Sequence, residues 1–102
     1  MFMKIQQVDL KGYREVIIAL CDEELVGKVL KEGDIELWVN PRFYKGEETS
    51  ESVALGVIGS ATIANMVGEK AVGVGIKAGL VDRDNIITIS GVPHAQMVRM
   101  RE

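Results

Sequence analysis

Tyr13-Arg14-Glu15-Val16-Ile17-Ile18-Ala19-Leu20-Cys21 decides the fold. From Val16 to Leu20 both alternating faces are apolar. This suits a central strand covered on each side, or covered on one side and paired at an interface. Upstream, Met1 to Leu10 alternates imperfectly, with Phe2, Lys4, Gln6 and Val8 on one face and Met3, Ile5 and Gln7 on the other. Lys11-Gly12 supplies a turn, so the two strands are expected to form a hairpin.

Downstream the periods change. Asp22 is placed to cap a short helix, with Glu23 and Glu24 in its first turn and Leu25, Val29 and Leu30 as an apolar stripe. Ile35, Leu37 and Val39 alternate with Glu36 and Trp38, which predicts a strand ended by Asn40-Pro41. Arg42 to Gly46 reads as a loop. Thr49 or Ser50 then caps a helix carrying Val53, Ala54, Val57 and Ile58, with Gly59 as its stop. Ala61 to Val67 reads as a strand, and Gly68-Glu69 opens a second helix bearing Val72, Ile76 and Leu80, ended by Gly79. Asn85 to Ser90 and Pro93 to Arg101 complete the set as strands around a turn at Gly91. The expectation is one α+β domain over residues 1–102. It is a two-layer sandwich, one mixed or antiparallel sheet with two to three helices packed on it.

Composition narrows the function classes. A hydrophobic fraction of 47% with 26% charged residues is that of a globular chain. The longest uncharged stretch, Ser52 to Gly68, is shorter than a membrane span and holds Ser60, Thr62 and Asn65, so no transmembrane segment is expected. Cys21 is the only cysteine, which excludes an intramolecular disulfide; with no secretory signal in view, a cytoplasmic location is expected. A formal charge of −3 argues against a uniformly basic nucleic-acid coat and leaves room only for a local basic patch.

The candidate chemistry is sparse. Cys21 precedes a helix start, where thiolates are stabilised, but Asp22, Glu23 and Glu24 oppose a fourth negative charge, so an inert thiol is expected. His94, the only histidine, sits in Pro93-His94-Ala95-Gln96 as either an acid/base group or a partner for buried backbone. One Cys and one His cannot fill a zinc site, and neither a metal nor a cofactor is expected. Gly73-Val74-Gly75-Ile76-Lys77-Ala78 matches a loose dinucleotide fingerprint but has no acidic partner strand behind it; close helix–sheet packing explains these glycines better. Arg99 and Arg101 share a strand face opposite that of His94 and Gln96. With Arg42, Lys45, Phe43, Tyr44 and Trp38 they form a candidate surface for stacking bases and contacting phosphate.

Four blocks carry a resemblance: Ala19 to Lys28, Phe43 to Glu47, Asn65 to Val72, and Gly91 to Gln96. Together, and in this order, they resemble a small archaeal family designated domain of unknown function 424. The resemblance implies a compact two-layer α/β fold, a connection to RNA or the translation apparatus, and no catalytic residues to carry over. By that match Cys21, Asp22, Phe43, Tyr44, Asn65, Gly68, Pro93, His94 and Gln96 become candidate site residues.

The leading expectation is therefore a non-enzymatic RNA- or ribosome-associated binding factor, with Asn65, His94 and Gln96 as recognition groups and Arg99 and Arg101 as phosphate contacts. Two alternatives stand beside it. One is a protein adaptor, as a homodimer or with another protein, that works through a sheet edge or the Phe43-Tyr44 loop. The other is a small enzyme using His94 beside Asn65 and Cys21 or Asp22.

Overall fold

The computed structural model describes residues 1–100. Nine-residue strands β1 (Phe2–Leu10) and β2 (Tyr13–Cys21) pair antiparallel in full register from Phe2↔Cys21 to Leu10↔Tyr13, as the alternation and the Lys11-Gly12 turn require. Gly12 takes a positive φ of 77°, a conformation glycine reaches at no steric cost.

The segment after β2 departs from expectation. Only a 3-10 turn, Glu23–Leu25, follows Asp22, and then strands β3 (Val29–Glu32) and β4 (Ile35–Trp38) form a separate two-stranded sheet. Gly27 at φ 88° breaks any helix there, and the apolar residues at Leu30 and Leu37 pair across the hairpin instead of lining a helical stripe. The stretch read as a loop holds a one-turn helix, α1 (Pro41–Tyr44). Asn40 accepts from the Arg42 N–H at 3.0 Å, and Pro41 starts the turn at the position where its missing N–H is not needed. A two-residue strand β5 (Glu47–Glu48) follows, pairing with Phe2 and Met3.

Ser50 caps α2 (Glu51–Ile58), accepting from the Val53 N–H at 3.1 Å, and Gly59 ends it. Strand β6 (Ile63–Val67) runs parallel to β2, and α3 (Glu69–Lys77) follows it. Strands β7 (Ile87–Ile89) and β8 (Val92–Val98) close the sheet. Both are shorter than the sequence suggests, since Arg83–Asn85 winds as a 3-10 turn and β8 stops at Val98. None of the peptide bonds among the described residues is cis, Val92–Pro93 included.

The result is an α+β fold with a mixed six-stranded sheet in the order β5-β1-β2-β6-β8-β7. The parallel β2–β6 pair forces a long crossover, and the intervening chain uses both faces of the sheet. On one face α2 and α3 cover Ile18, Leu20, Ala64, Met66 and Ala95. On the other, the β3–β4 hairpin and α1 cover Ala19, Cys21, Val67 and Ile89 with Leu25, Leu30, Val39 and Tyr44. This explains why β2 is apolar on both sides. Each fully buried Ile or Leu of this strand contributes on the order of 1.5–3 kcal/mol by leaving water.

Gly75 confirms the packing role assigned to the glycines of α3. A Cβ there would stand 2.5 Å from the Met66 sulfur, whereas one at Gly73 meets open space. No helix among the described residues is long and apolar enough to cross a membrane.

Candidate functional site

Two places gather the candidate residues. The first is the corner where the parallel strands β2 and β6 end. In open α/β sheets such carboxyl ends commonly bind ligands. Here the sequence fills the corner itself.

Asp22, directly after β2, turns its carboxylate onto the start of α3. Oδ2 accepts from the Lys70 N–H at 3.1 Å and Oδ1 from the Ala71 N–H at 2.9 Å. The aspartate is thus a cap, but of a helix 48 residues downstream rather than of the turn that follows it. It satisfies two of the free amides of that helix and sets a negative charge at the positive end of its dipole. Gly68, between β6 and α3, makes room. Its φ is 108°, and a Cβ would lie 2.3 Å from Asp22 Cγ; its N–H donates to the Pro93 carbonyl at 2.9 Å. A cleft of about 180 Å³ remains outside, bordered by Asp22, Glu24, Gly68, Glu69 and Pro93. With three carboxylates on its rim and the helix amides already occupied, it is not built for an anion.

Cys21 lies beneath this corner. It is fully buried, and its Sγ donates to the Asp22 carbonyl at 3.2 Å. Burial pushes the thiol up to about 12, and Asp22 and Glu24 add to the effect. Tyr44 packs in the same cluster and is likewise pushed up to about 12, first by burial and then by Cys21. An ordinary thiol titrates near ~8.5, so at pH ~8 the native protein should react with iodoacetamide at least ~100-fold more slowly than the urea-unfolded chain. Its alkylation rate should climb only as the pH approaches that high value. Equal rates for folded and unfolded protein at pH ~8 would show that the thiol is open.

The four resemblance blocks all send side chains into this half of the molecule: Cys21 and Leu25, Phe43 and Tyr44, Val67, and Val92 build one apolar cluster. Phe43 and Tyr44 meet edge to face at 4.9 Å between ring centres. Tyr44 is buried and Phe43 half-buried, so the aromatic pair is a packing element rather than an open stacking platform.

The second place is the face of the sheet beyond the reach of the hairpin. Register aligns its residues in rows across the strands. One row reads Phe2, Cys21, Val67, His94, with Ile87 beyond, and is largely covered. The next reads Lys4, Ala19, Asn65, Gln96, and the third Gln6, Ile17, Ile63, Val98. Exposure rises along and between these rows. Ala19 is buried, Asn65 nearly so, Gln96 exposed, and Val98 is 63% exposed.

Gln96 Nε2 donates to Asn65 Oδ1 at 2.7 Å. The pair keeps the Gln96 carbonyl oxygen and the Asn65 amide hydrogens for an incoming group, with no protein partner for either among the described residues. His94 is paired inward, its Nδ1–H donating to the Met66 carbonyl at 2.9 Å. Beside it a shallow cleft of about 310 Å³ is bordered by Asn85, Ile87, His94 and Gln96.

The other candidates fall elsewhere. Arg99 is drawn to the end of α2, where its guanidinium donates to the carbonyls of Ala61 at 3.3 Å and Gly59 at 3.2 Å. It serves the carbonyl-rich end of that helix. Arg101 lies outside the described residues. His94 and Cys21 face the same side but have the strand of Val67 between them, roughly 9–10 Å at two strand spacings. With Cys21 bonded to a carbonyl and Asp22 to two amides, the two do not form a nucleophile–base pair with His94. Among the described residues no three His, Cys, Asp or Glu side chains converge on a metal position.

Asn85 and Ile87 were not singled out from the sequence. Only the β7–β8 register reveals them. Lys4 and Gln6 were legible on one face of β1, but their alignment with Asn65 and Gln96 depends on the parallel β2–β6 pairing.

No curated protein matches the sequence. Among solved structures, an uncharacterized conserved protein from Methanopyrus kandleri is similar at 32% identity with a TM-score of 0.81, over 99% of this chain and 93% of that one. Likeness over nearly the full length of both chains shows that the two share their overall fold. A family profile matches residues 11–100, all but the first strand and the final two residues, so this chain belongs to the family described as protein of unknown function (DUF424).

Proposed function

We propose that this protein is a non-enzymatic binding protein that engages a partner protein through the open rows of its sheet, centred on Gln96 and Val98. The observation that carries this reading is the Gln96–Asn65 amide pair set beside Ile63 and Val98 on an uncovered face. Half-exposed apolar side chains next to amides with spare donors and acceptors match the composition of protein interfaces, which combine an apolar centre with a polar rim.

Charge decides against RNA as the favoured partner. The two open rows hold one cation, Lys4, whose ammonium already donates to the Arg42 carbonyl. Non-specific RNA affinity rises with the number of phosphates neutralised, and a single contact supplies a salt slope of only about −0.7. Arg99 is engaged at the end of α2, and the chain as a whole is acidic.

The discriminating experiment titrates purified protein with ribosomal and transfer RNA at two salt concentrations, with Arg99→Ala alongside. The protein reading predicts no binding tighter than ~100 µM at 0.15 M salt, roughly the weak end of non-specific nucleic-acid affinity. Arg99→Ala should act only on stability, lowering it by about 1 kcal/mol through the two lost carbonyl bonds. Micromolar binding that falls steeply with salt and is lost in Arg99→Ala would overturn the reading in favour of RNA.

A further inference from the structure

The two edges of the main sheet are treated differently. Strand β7 is three residues long, the β3–β4 hairpin packs against it, and the Glu32 carboxylate accepts from the Ser90 N–H just past its end. These are common ways to protect an edge from further pairing. Strand β1 is nine residues long, and β5 covers only Phe2 and Met3. Gly46 still lies beside Lys4, but Ile5 to Leu10 pairs with no strand on its outer side among the described residues, and this stretch contains no proline and no bulge.

Two independent contacts fix which backbone groups point outward. Thr49 N–H donates to the Met1 carbonyl, so Met1 faces the β5 side. On the opposite side of the hairpin, Thr62 N–H donates to the Val16 carbonyl. The even residues of β2 therefore face β6, and its odd residues face the even residues of β1. Both contacts place the N–H and C=O of Ile5, Gln7 and Asp9 on the open edge.

We infer that this edge pairs with the same edge of a second copy, antiparallel about a two-fold axis at Gln7, joining two sheets into one. Three features select this occupant and register. A two-fold perpendicular to the sheet keeps each face continuous, so residues of like parity must stand opposite each other. Centring on Gln7 sets Ile5 against Asp9, Gln7 against Gln7 and Asp9 against Ile5. All the outward groups are then used, in about six backbone hydrogen bonds, two per pair. Centring on Gln6 or Val8 leaves a third of them unpaired.

Charge also fits. This register sets Asp9 opposite Ile5 and Val8 opposite Gln6, so no like charges meet along the paired stretch. Gly46, beside Lys4, bounds the open edge at one end, and the Lys11-Gly12 turn bounds it at the other.

The inference is independent of the partner proposed for the open face. Its test is the solution mass of the full chain at ~10–200 µM, by light scattering or sedimentation, for the native protein, Gln7→Pro and Gln7→Glu. Gln7→Pro removes an outward N–H that no neighbour uses within one copy, a position where an edge strand accepts proline. Gln7→Glu leaves the backbone intact and sets two carboxylates face to face across the axis.

The native chain is expected at twice its 11.2 kDa mass. Gln7→Pro should run as a single copy with an unchanged circular dichroism spectrum. Gln7→Glu should dissociate at low salt at least tenfold more readily and recover at high salt. A native chain that stays single at ~200 µM overturns the inference. So does a double mass that persists in Gln7→Glu at low salt, whether or not the proline variant folds.

Discussion

Gly68→Ala is expected to lower stability by about 3–5 kcal/mol, a fall of roughly 15–30 °C in thermal midpoint for a domain of this size. Two costs add. The backbone there has φ 108° and ψ 160°, a region populated almost only by glycine, and holding alanine in it costs about 1–3 kcal/mol. The methyl would also stand 2.3 Å from Asp22 Cγ and 2.6 Å from its Cβ and Oδ1, so a buried carboxylate and the helix it caps must move. Relief of that kind of overpacking costs a further 1–3 kcal/mol or so. Urea denaturation monitored by circular dichroism reads the sum. A loss below about 1 kcal/mol would mean that the junction of β6 and α3 is not held as tightly as described.

Asp22→Ala is expected to cost about 2–4 kcal/mol. The substitution removes two charge-assisted hydrogen bonds and leaves the buried Ala71 N–H without an acceptor. It also removes the negative charge from the positive end of α3. Asp22→Asn keeps one acceptor oxygen and should recover part of the loss, since one amide of α3 is still satisfied. The two sites touch, so their effects should not add. In the double variant Asp22→Ala with Gly68→Ala the clash with Cγ and Oδ1 goes with the carboxylate, while the close contact with the Cβ of residue 22 and the backbone strain stay. The summed loss should then fall short of the two single losses by about 1 kcal/mol or more. Strict additivity would show that the carboxylate and the glycine do not meet.

Much of the architecture is legible in the residues. The double-faced apolar run Val16 to Leu20 requires cover on both sides, and the structure supplies helices on one and a hairpin with α1 on the other. The Lys11-Gly12 turn, the Ser50 cap and the start of α3 at Gly68 follow from local chemistry that acts within a few residues. The strand at Ile35 is read correctly, but Asp22 to Leu30 is misread as a helix because its local signals conflict. Asp22-Glu23-Glu24 has the composition of a helix start, but Gly27 and Gly33 at positive φ favour turns, and the hairpin that results is held by packing on β7.

Asp22 marks the limit most clearly. A capping residue announces itself in sequence, but the helix it caps lies across the fold, brought there by the parallel pairing of β2 and β6. The site is less legible than the fold for the same reason. Asn65 and Gln96 carry no mutual signal 31 residues apart, and only register makes them neighbours. Arg99 shows the converse. Its strand position suggests a phosphate contact, but Gly59 and Ala61 offer it carbonyls at the end of α2.

The central claim, that the open rows of the sheet receive a protein, is tested most directly by a photoreactive amino acid placed at Val98 in the full chain and irradiated in cells. Lys77, exposed near the end of α3 on the opposite layer, is the control position. The account predicts one defined crosslinked protein from position 98, unchanged by nuclease and absent from position 77. A crosslink that disappears with nuclease, or equal yields from both positions, would contradict it.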